Sequence, residues 1–140
     1  VDPFLEYGDK GVILLCRTSN PSAIWIQDAE SEGEKVFLKI ARKAKERNAG
    51  GQIALVTGAT YPKDLGLVRT IVRDMPLLVP GIGAQGGDLN AVLDNGLDSQ
   101  KSGLLISSSR EIIYASTGSD FPEAASRAAE ELCRKINKNR

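Results

Sequence analysis

The chain has 140 residues, 41% of them hydrophobic and 26% charged, and its 18 basic and 18 acidic side chains give a formal net charge of zero. That balance fits one globular domain with a real core and lacks the basic excess of a nucleic-acid or membrane-surface protein. The length falls short of a complete eight-stranded βα barrel, which needs about 200 residues or more. Histidine is absent, which removes the commonest general base, the serine and cysteine triads and most zinc sites. Carboxylate, lysine or water is left for any acid–base chemistry. No apolar run has the length of a membrane span and no signal peptide opens the chain, so a cytoplasmic location is expected. Val1 stands where a start methionine would, which implies an upstream part. Cys16 and Cys133, each beside leucine, read as reduced, buried thiols rather than a disulfide.

In chain order, the first apolar run covers residues 12–16. It is nearly continuous rather than alternating, as strands buried on both faces read. Residues 20–33 insert an extra segment with the only tryptophan, Trp25. This ring is expected either to pack over the end of the core or to close over a ligand or partner. Residues 34–48 predict an amphipathic helix with Val36, Phe37, Ile40, Ala41 and Ala44 on one face. Asn48-Ala49-Gly50-Gly51 stops it. A second strand follows at 53–56, then a helix over 62–74, with Pro62 in its first turn and Leu65, Val68, Ile71 and Val72 as its stripe. The third strand is 77–79. Asp88 caps a third helix that runs to residue 97 with Leu89, Val92 and Leu93 inward. The fourth strand is 104–106. The last helix spans 120–137, with Ala124, Ala125, Ala128, Ala129, Leu132 and Ile136 marking its buried face.

Strand followed by helix, four times over, implies a parallel sheet with right-handed crossovers in a single domain over 1–140. Two architectures satisfy that order, an open doubly wound sheet of flavodoxin type and half of a βα barrel. Periodicity does not separate them.

In both, ligands bind at the carboxyl ends of the strands. The post-strand loops are Arg17-Thr18-Ser19-Asn20-Pro21-Ser22, Thr57-Gly58-Ala59-Thr60, Pro80-Gly81-Ile82-Gly83-Ala84-Gln85-Gly86-Gly87-Asp88 and Ser107-Ser108-Ser109-Arg110. All are rich in small or hydroxyl residues. In the third, Gly81, Gly83, Gly86 and Gly87 permit positive φ and close approach of a ligand to main-chain N–H groups. Such a turn before a helix start is a natural anion cradle. The dinucleotide fingerprint is not met, because no acidic ribose partner ends a following strand. In the fourth loop Arg110 supplies a planar guanidinium suited to phosphate.

These four loops, in this order, resemble orotidine 5′-phosphate decarboxylase of the longer bacterial type. Pro80-Gly81-Ile82-Gly83-Ala84-Gln85-Gly86-Gly87 carries the resemblance most strongly, and it extends over nearly the whole chain. It implies the C-terminal half of a TIM-type βα barrel: four βα units with parallel strands, the last two loops gripping phosphate. It implies a homodimer, or association with the missing N-terminal half. It also implies cofactor-free decarboxylation of orotidine 5′-phosphate to uridine 5′-phosphate in pyrimidine biosynthesis, with no nucleic-acid or membrane partner. Residue by residue, Ser19 matches the serine that hydrogen-bonds the pyrimidine, and Thr18 is its neighbour. Pro80 matches the proline of the base pocket. Residues 81–83, Gly81 and Gly83 among them, match main chain at the phosphate end, and Gln85 the glutamine of the phosphate loop. Gly103 and Ser108 would flank the phosphate through backbone groups, and Arg110 matches the phosphate-binding arginine. The family's catalytic Asp-x-Lys-x-x-Asp occurs nowhere in the 140 residues: Lys63-Asp64 and Asp9-Lys10 both fail the spacing. No catalytic residue is therefore expected here, and the chain alone is expected to be inactive. The alternative is a non-catalytic phosphate-binding module, half-barrel or flavodoxin-like.

Overall fold

The four apolar runs pair into one parallel sheet in a computed structural model of the chain, which describes residues 1–83 and 85–140. A short N-terminal helix, α1 (Asp2–Leu5), precedes β1 (Val12–Arg17). A 3₁₀ turn (Pro21–Ala23), α2 (Ile24–Gln27) and a two-residue hairpin of β2 (Glu30–Ser31) with β3 (Glu34–Lys35) lead into α3 (Val36–Arg47). The remaining elements are β4 (Ile53–Thr57), α4 (Pro62–Val72), β5 (Leu77–Pro80), α5 (Leu89–Gly96), β6 (Leu104–Ser107), α6 (Ser109–Ile113) and α7 (Phe121–Lys138).

The strand order is β1-β4-β5-β6. Val12 stands beside Ile53, Leu55 beside Leu77, and Leu77 beside Leu104. Each new strand is laid on the same side of the last and the order never reverses. A doubly wound sheet needs a reversal, since its binding crevice forms where the order switches. The flavodoxin-like alternative is thereby excluded, and the sheet has the progression of a stretch of βα barrel.

Successive crossovers of one hand place the helices on one face. Phe37, Ala41 and Ala44 of α3, Leu65, Val68 and Val72 of α4, and Val92 of α5 share one core with Ile53, Leu55, Leu77 and Val79 of the sheet. The opposite face carries Ile13, Leu15, Ala54, Val56, Leu78 and Leu105 in lateral register. Leu15 is 66% exposed, and Ile13 and Leu105 are exposed as well. The expectation of burial on both faces therefore holds only on the helix side. Nothing among the described residues covers the other side, although its residues are as apolar as those of the core.

Boundaries moved in ways local chemistry explains. Each strand runs one residue further than its apolar run, to Arg17, Thr57, Pro80 and Ser107, because the ladder continues through polar residues and through a proline that needs only to accept. Gly58 N donates to Arg17 O at 2.7 Å and Ala59 N to Pro80 O at 2.9 Å, carrying the pairing into the loops. α3 starts at Val36 because Glu34 and Lys35 are held in the hairpin. α4 stops at Val72, where Arg73 takes φ 57°. The short helix α6 and the hairpin have no periodic signal of their own. α7 presents the expected stripe, but only Ala124 is fully buried, because α7 packs chiefly on α6. Cys133 lies exposed beside that stripe, which corrects its reading as a buried thiol; Cys16 is buried and both are free.

At the amino ends of the strands Arg69 of α4 is almost wholly buried. It donates to Gly96 O at 2.6 Å, Met75 O at 2.7 Å and Gly103 O at 2.9 Å, and also to Arg73 O. One guanidinium thus ties the end of α5 to the segments leading into β5 and β6. Burial pulls its pKa down, against Asp98 and Asp74, which raise it.

Candidate functional site

At the carboxyl ends, the β5 and β6 loops enclose a cavity of about 80 Å³ lined by Pro80, Gly81, Ile82, Gln85, Ser107, Ser108, Ser109 and Arg110. Five of the eight anticipated residues, Pro80, Gly81, Gln85, Ser108 and Arg110, meet here. Larger hollows exist elsewhere, one of about 390 Å³ around Arg69 and Asp98. It lies at the amino ends, and the arginine on its wall is engaged with main-chain carbonyls.

The glycine loop is shaped by its own backbone. Gly81 has φ 101° and Gly83 φ 74°. Gly86 N donates to Gly83 O and Gly87 N to Gly81 O. A Cβ on Gly81 would stand 2.9 Å from Gln85 Oε1 and 3.1 Å from Ser19 Oγ. A Cβ on Gly83 would stand 1.9 Å from the Glu111 carboxyl carbon. Positive φ favours glycine at both places, and the space a Cβ would take is filled by side-chain ends that would have to move aside. Gly87, by contrast, does not take positive φ, while Gly86 does. Ala84, anticipated within this loop, lies outside the described residues.

Two expectations change. Asp88 is the N-cap of α5, its Oδ1 accepting from Asn90 N at 2.9 Å and Ala91 N at 3.3 Å. That helix start is already satisfied by a carboxylate, which argues against it as the anion cradle; the cavity lies instead between the glycine loop and the β6 loop. Gly103 is at the opposite end of β6, its carbonyl held by Arg69, and cannot flank a phosphate placed here. Its positive φ, 82°, belongs to the turn before the strand.

Ser108 is buried; its hydroxyl lies 3.0 Å from Glu111 Oε2 and 3.3 Å from Ile82 O, both acceptors. Its hydroxyl proton is thus engaged inside the chain. Arg110 is exposed on the rim.

Ser19 reaches the same region from β1. Its hydroxyl lies 3.5 Å from Pro80 O, a long contact, and a Cβ on Gly58 would lie 2.3 Å from it. Thr18 turns away. Its Oγ1 donates to Asn20 Oδ1 at 2.7 Å and accepts from Gln27 Nε2 at 3.1 Å, and its N–H donates to Gln27 Oε1 at 2.9 Å. Of the two hydroxyls, Ser19 is the one with bonding capacity left toward the cavity. Trp25 is 84% exposed, which corrects the reading that it packs over the core.

The loop sequences gave no sign of the side chains that hold this end together. Arg17, Asp28 and Asp64 form ion pairs between segments up to 47 positions apart, and Glu111 buttresses the glycine loop. Such contacts leave no periodic trace. Thr57 and Thr60 also carry buried hydroxyls without a partner among the described residues. The Cys16 thiol is pushed up to about 12 by burial, with Arg17 lowering it slightly, and its Sγ donates to Phe37 O at 3.2 Å. It is not a nucleophile. No group of three acidic, cysteine or histidine side chains suited to a metal occurs among the described residues, and no helix there is long and apolar enough to cross a membrane.

A one-sided, sequentially ordered parallel sheet with a glycine loop and an arginine at its last two carboxyl ends defines a segment of a βα barrel. The chain is 51% identical over 142 aligned residues to orotidine 5′-phosphate decarboxylase of Aromatoleum aromaticum, which covers all of this chain and 52% of that protein. It is 52% identical to the Dechloromonas aromatica enzyme, over 98% of this chain and 51% of the relative. The resemblance seen in the loops is thus to orotidine 5′-phosphate decarboxylase, and the chain spans about half the length of the curated relatives it matches. Among solved structures, Leishmania donovani UMP synthase aligns with TM-score 0.87 and 40% identity, over 99% of this chain and 30% of that one. L. donovani OMP decarboxylase aligns with TM-score 0.84 and 37% identity, over 98% of this chain and 51% of that one. No family model matches.

Proposed function

We propose that this chain is the C-terminal half of an orotidine 5′-phosphate decarboxylase, a single unit over 1–140 that supplies the phosphate grip and part of the pyrimidine contact. The observation that carries this is the convergence of Ser19, Pro80, Gly81, Gln85, Ser108 and Arg110 on one end of the sheet, in a chain about half identical to that enzyme. Arg110 binds the phosphate dianion from the rim, and main chain around Gly81, Gly83 and Ser108 faces its oxygens. Gln85 closes over it, and Ser19 and Pro80 meet the base. Thr18 already gives its hydroxyl proton to Asn20 and accepts from Gln27, so it meets the base less directly than Ser19. The catalytic lysine and aspartates belong to the part of the relatives' length that this chain does not span. Binding energy from the phosphate, remote from the reacting carbon, is then spent in the transition state.

The uncovered apolar face with Ile13, Leu15 and Leu105 and the unpaired outer edges of β1 and β6 call for the missing half, with two such barrels forming a homodimer in the cytoplasm. Unpaired edges of this kind recruit strands. The reaction needs no cofactor in this scheme.

The test uses protein expressed from the full natural reading frame. Calorimetric titration with 6-azauridine monophosphate and with ribose 5-phosphate is expected to show tighter binding of the nucleotide, and decarboxylation of orotidine 5′-phosphate is expected to require an upstream Asp-x-Lys-x-x-Asp. Equal affinity for the two ligands would refute pyrimidine recognition. A reading frame without that motif would leave the phosphate-binding half-barrel as the correct assignment.

A further inference from the structure

Arg17, the last residue of β1, is 1% exposed. Its guanidinium is divided among three partners from two other segments. Nε donates to Asp64 Oδ2 in the first turn of α4 at 2.8 Å, Nη2 to Asp28 Oδ2 at 3.0 Å, and Nη1 to Gln27 Oε1 at 3.4 Å. Its Cζ stands 3.8 Å from the centre of the Tyr61 ring. Lys35 Nζ braces the other oxygen of Asp28 at 3.0 Å. The Gln27 amide then passes this order on, since its oxygen accepts the Thr18 N–H and its nitrogen donates to Thr18 Oγ1. A buried guanidinium with every face engaged is a rigid anchor, and Gln27 is the only side chain in this network that bonds both Arg17 and Thr18. Thr18 precedes Ser19, whose hydroxyl is confined between Gly58, Gly81 and Pro80 O.

We infer that Arg17 and Gln27 are positioning residues for nucleotide selectivity: through Thr18 they hold the Ser19 hydroxyl where the base arrives, and the Thr18 hydroxyl is a strut rather than a ligand. The inference rests on the proposed placement of a pyrimidine against Ser19. Neither Arg17 nor Gln27 lines the phosphate cavity, so their effect is confined to the base end.

Removing Arg17 would strand Asp64 and leave Asp28 with Lys35 alone, so the test uses Gln27, which is only half-buried on the short α2. In protein from the full reading frame, Gln27→Leu removes both bonds to Thr18 at similar size. Gln27→Glu keeps the acceptor for Arg17 and for the Thr18 N–H. Affinities for 6-azauridine monophosphate and ribose 5-phosphate are measured for each, with the thermal midpoint as a check on folding. Gln27→Leu is expected to weaken the nucleotide about tenfold and ribose 5-phosphate less than twofold, and Gln27→Glu to restore most of the loss. In a Ser19→Ala background Gln27→Leu is expected to have no further effect, because it acts through Ser19. Equal loss for both ligands, no loss, or full additivity with Ser19→Ala would overturn the inference while leaving the base-binding reading intact. A wild type that does not distinguish the ligands would overturn both.

Discussion

The two ends of the sheet use arginine in opposite ways. At the amino ends Arg69 is buried and spends its donors on four main-chain carbonyls, three of them from α5 and the segments leading into β5 and β6. At the carboxyl ends Arg110 lies exposed on the rim of the β5–β6 cavity. The first end is closed on itself, with a hollow walled by an arginine that has already found its partners. The second is built from glycines, serines and a proline that leave main chain facing outward. The two guanidiniums differ in burial, one enclosed among main-chain carbonyls and the other at the surface, in line with the division barrels draw between a stability face and a functional face.

Substitutions at the two ends should break apart accordingly. The largest effect belongs to Arg69→Met, which leaves buried carbonyls without donors. About 3 kcal/mol or more of folding stability is expected to be lost, read as a lower urea midpoint. Arg110→Ala should leave that midpoint unchanged and weaken phosphate-bearing ligands by about 2 kcal/mol, roughly thirtyfold, measured by calorimetry. Loss of folding there, or unchanged affinity, would erase the contrast. Thr57→Val deletes a buried hydroxyl with no partner among the described residues. It should stabilise by about 1 kcal/mol in the same urea assay, since the cost of desolvating that group disappears.

The smallest effect is electrostatic. Asp98 is held below its ordinary value of 3.8 chiefly by the Ser102 main-chain N–H, with Gln100 N–H, the Ser102 hydroxyl and Arg69 adding to it against slight burial. A carboxyl whose folded pKa is depressed contributes fully above its unfolded pKa and loses that contribution as pH falls through the folded one. Wild type should therefore lose stability below pH 3.8 more steeply than Asp98→Asn. The variant should be the less stable of the two near neutrality, as equilibrium denaturation across pH would show.

Much of this was legible from residue types alone. Glycine and proline punctuate the loops so strongly that Pro80, Gly81 and Gln85 were marked as neighbours in the chain, and Ser108 and Arg110 as the turn after the last strand. Asp88 was legible as a cap, but not its consequence, that a helix start already capped by a carboxylate argues against an anion there. Gly103 shows the opposite failure. A glycine next to a strand looks alike at either end, and only the strand's direction puts it beside Arg69. Thr18 and Ser19 are chemically similar neighbours, and partners the fold brings in, Gln27 nine positions away among them, engage Thr18 and leave Ser19 beside Pro80.

The sequence determined that this chain would be four βα units with parallel strands, because apolar runs of strand length alternate with amphipathic helices and nothing else buries both. It also determined which loops would carry polar chemistry, since small and hydroxyl residues collect there. Only the tertiary structure decided that the strands follow one another without reversal, so that one face of the sheet is packed and the other bare. Periodicity records how often a side chain turns toward a core; it does not record on which side the next strand is laid. The ion pairs of Arg17 and the carbonyl clamp of Arg69 belong to the same class of fact, because partners dozens of residues apart are chosen by the fold and not by their spacing.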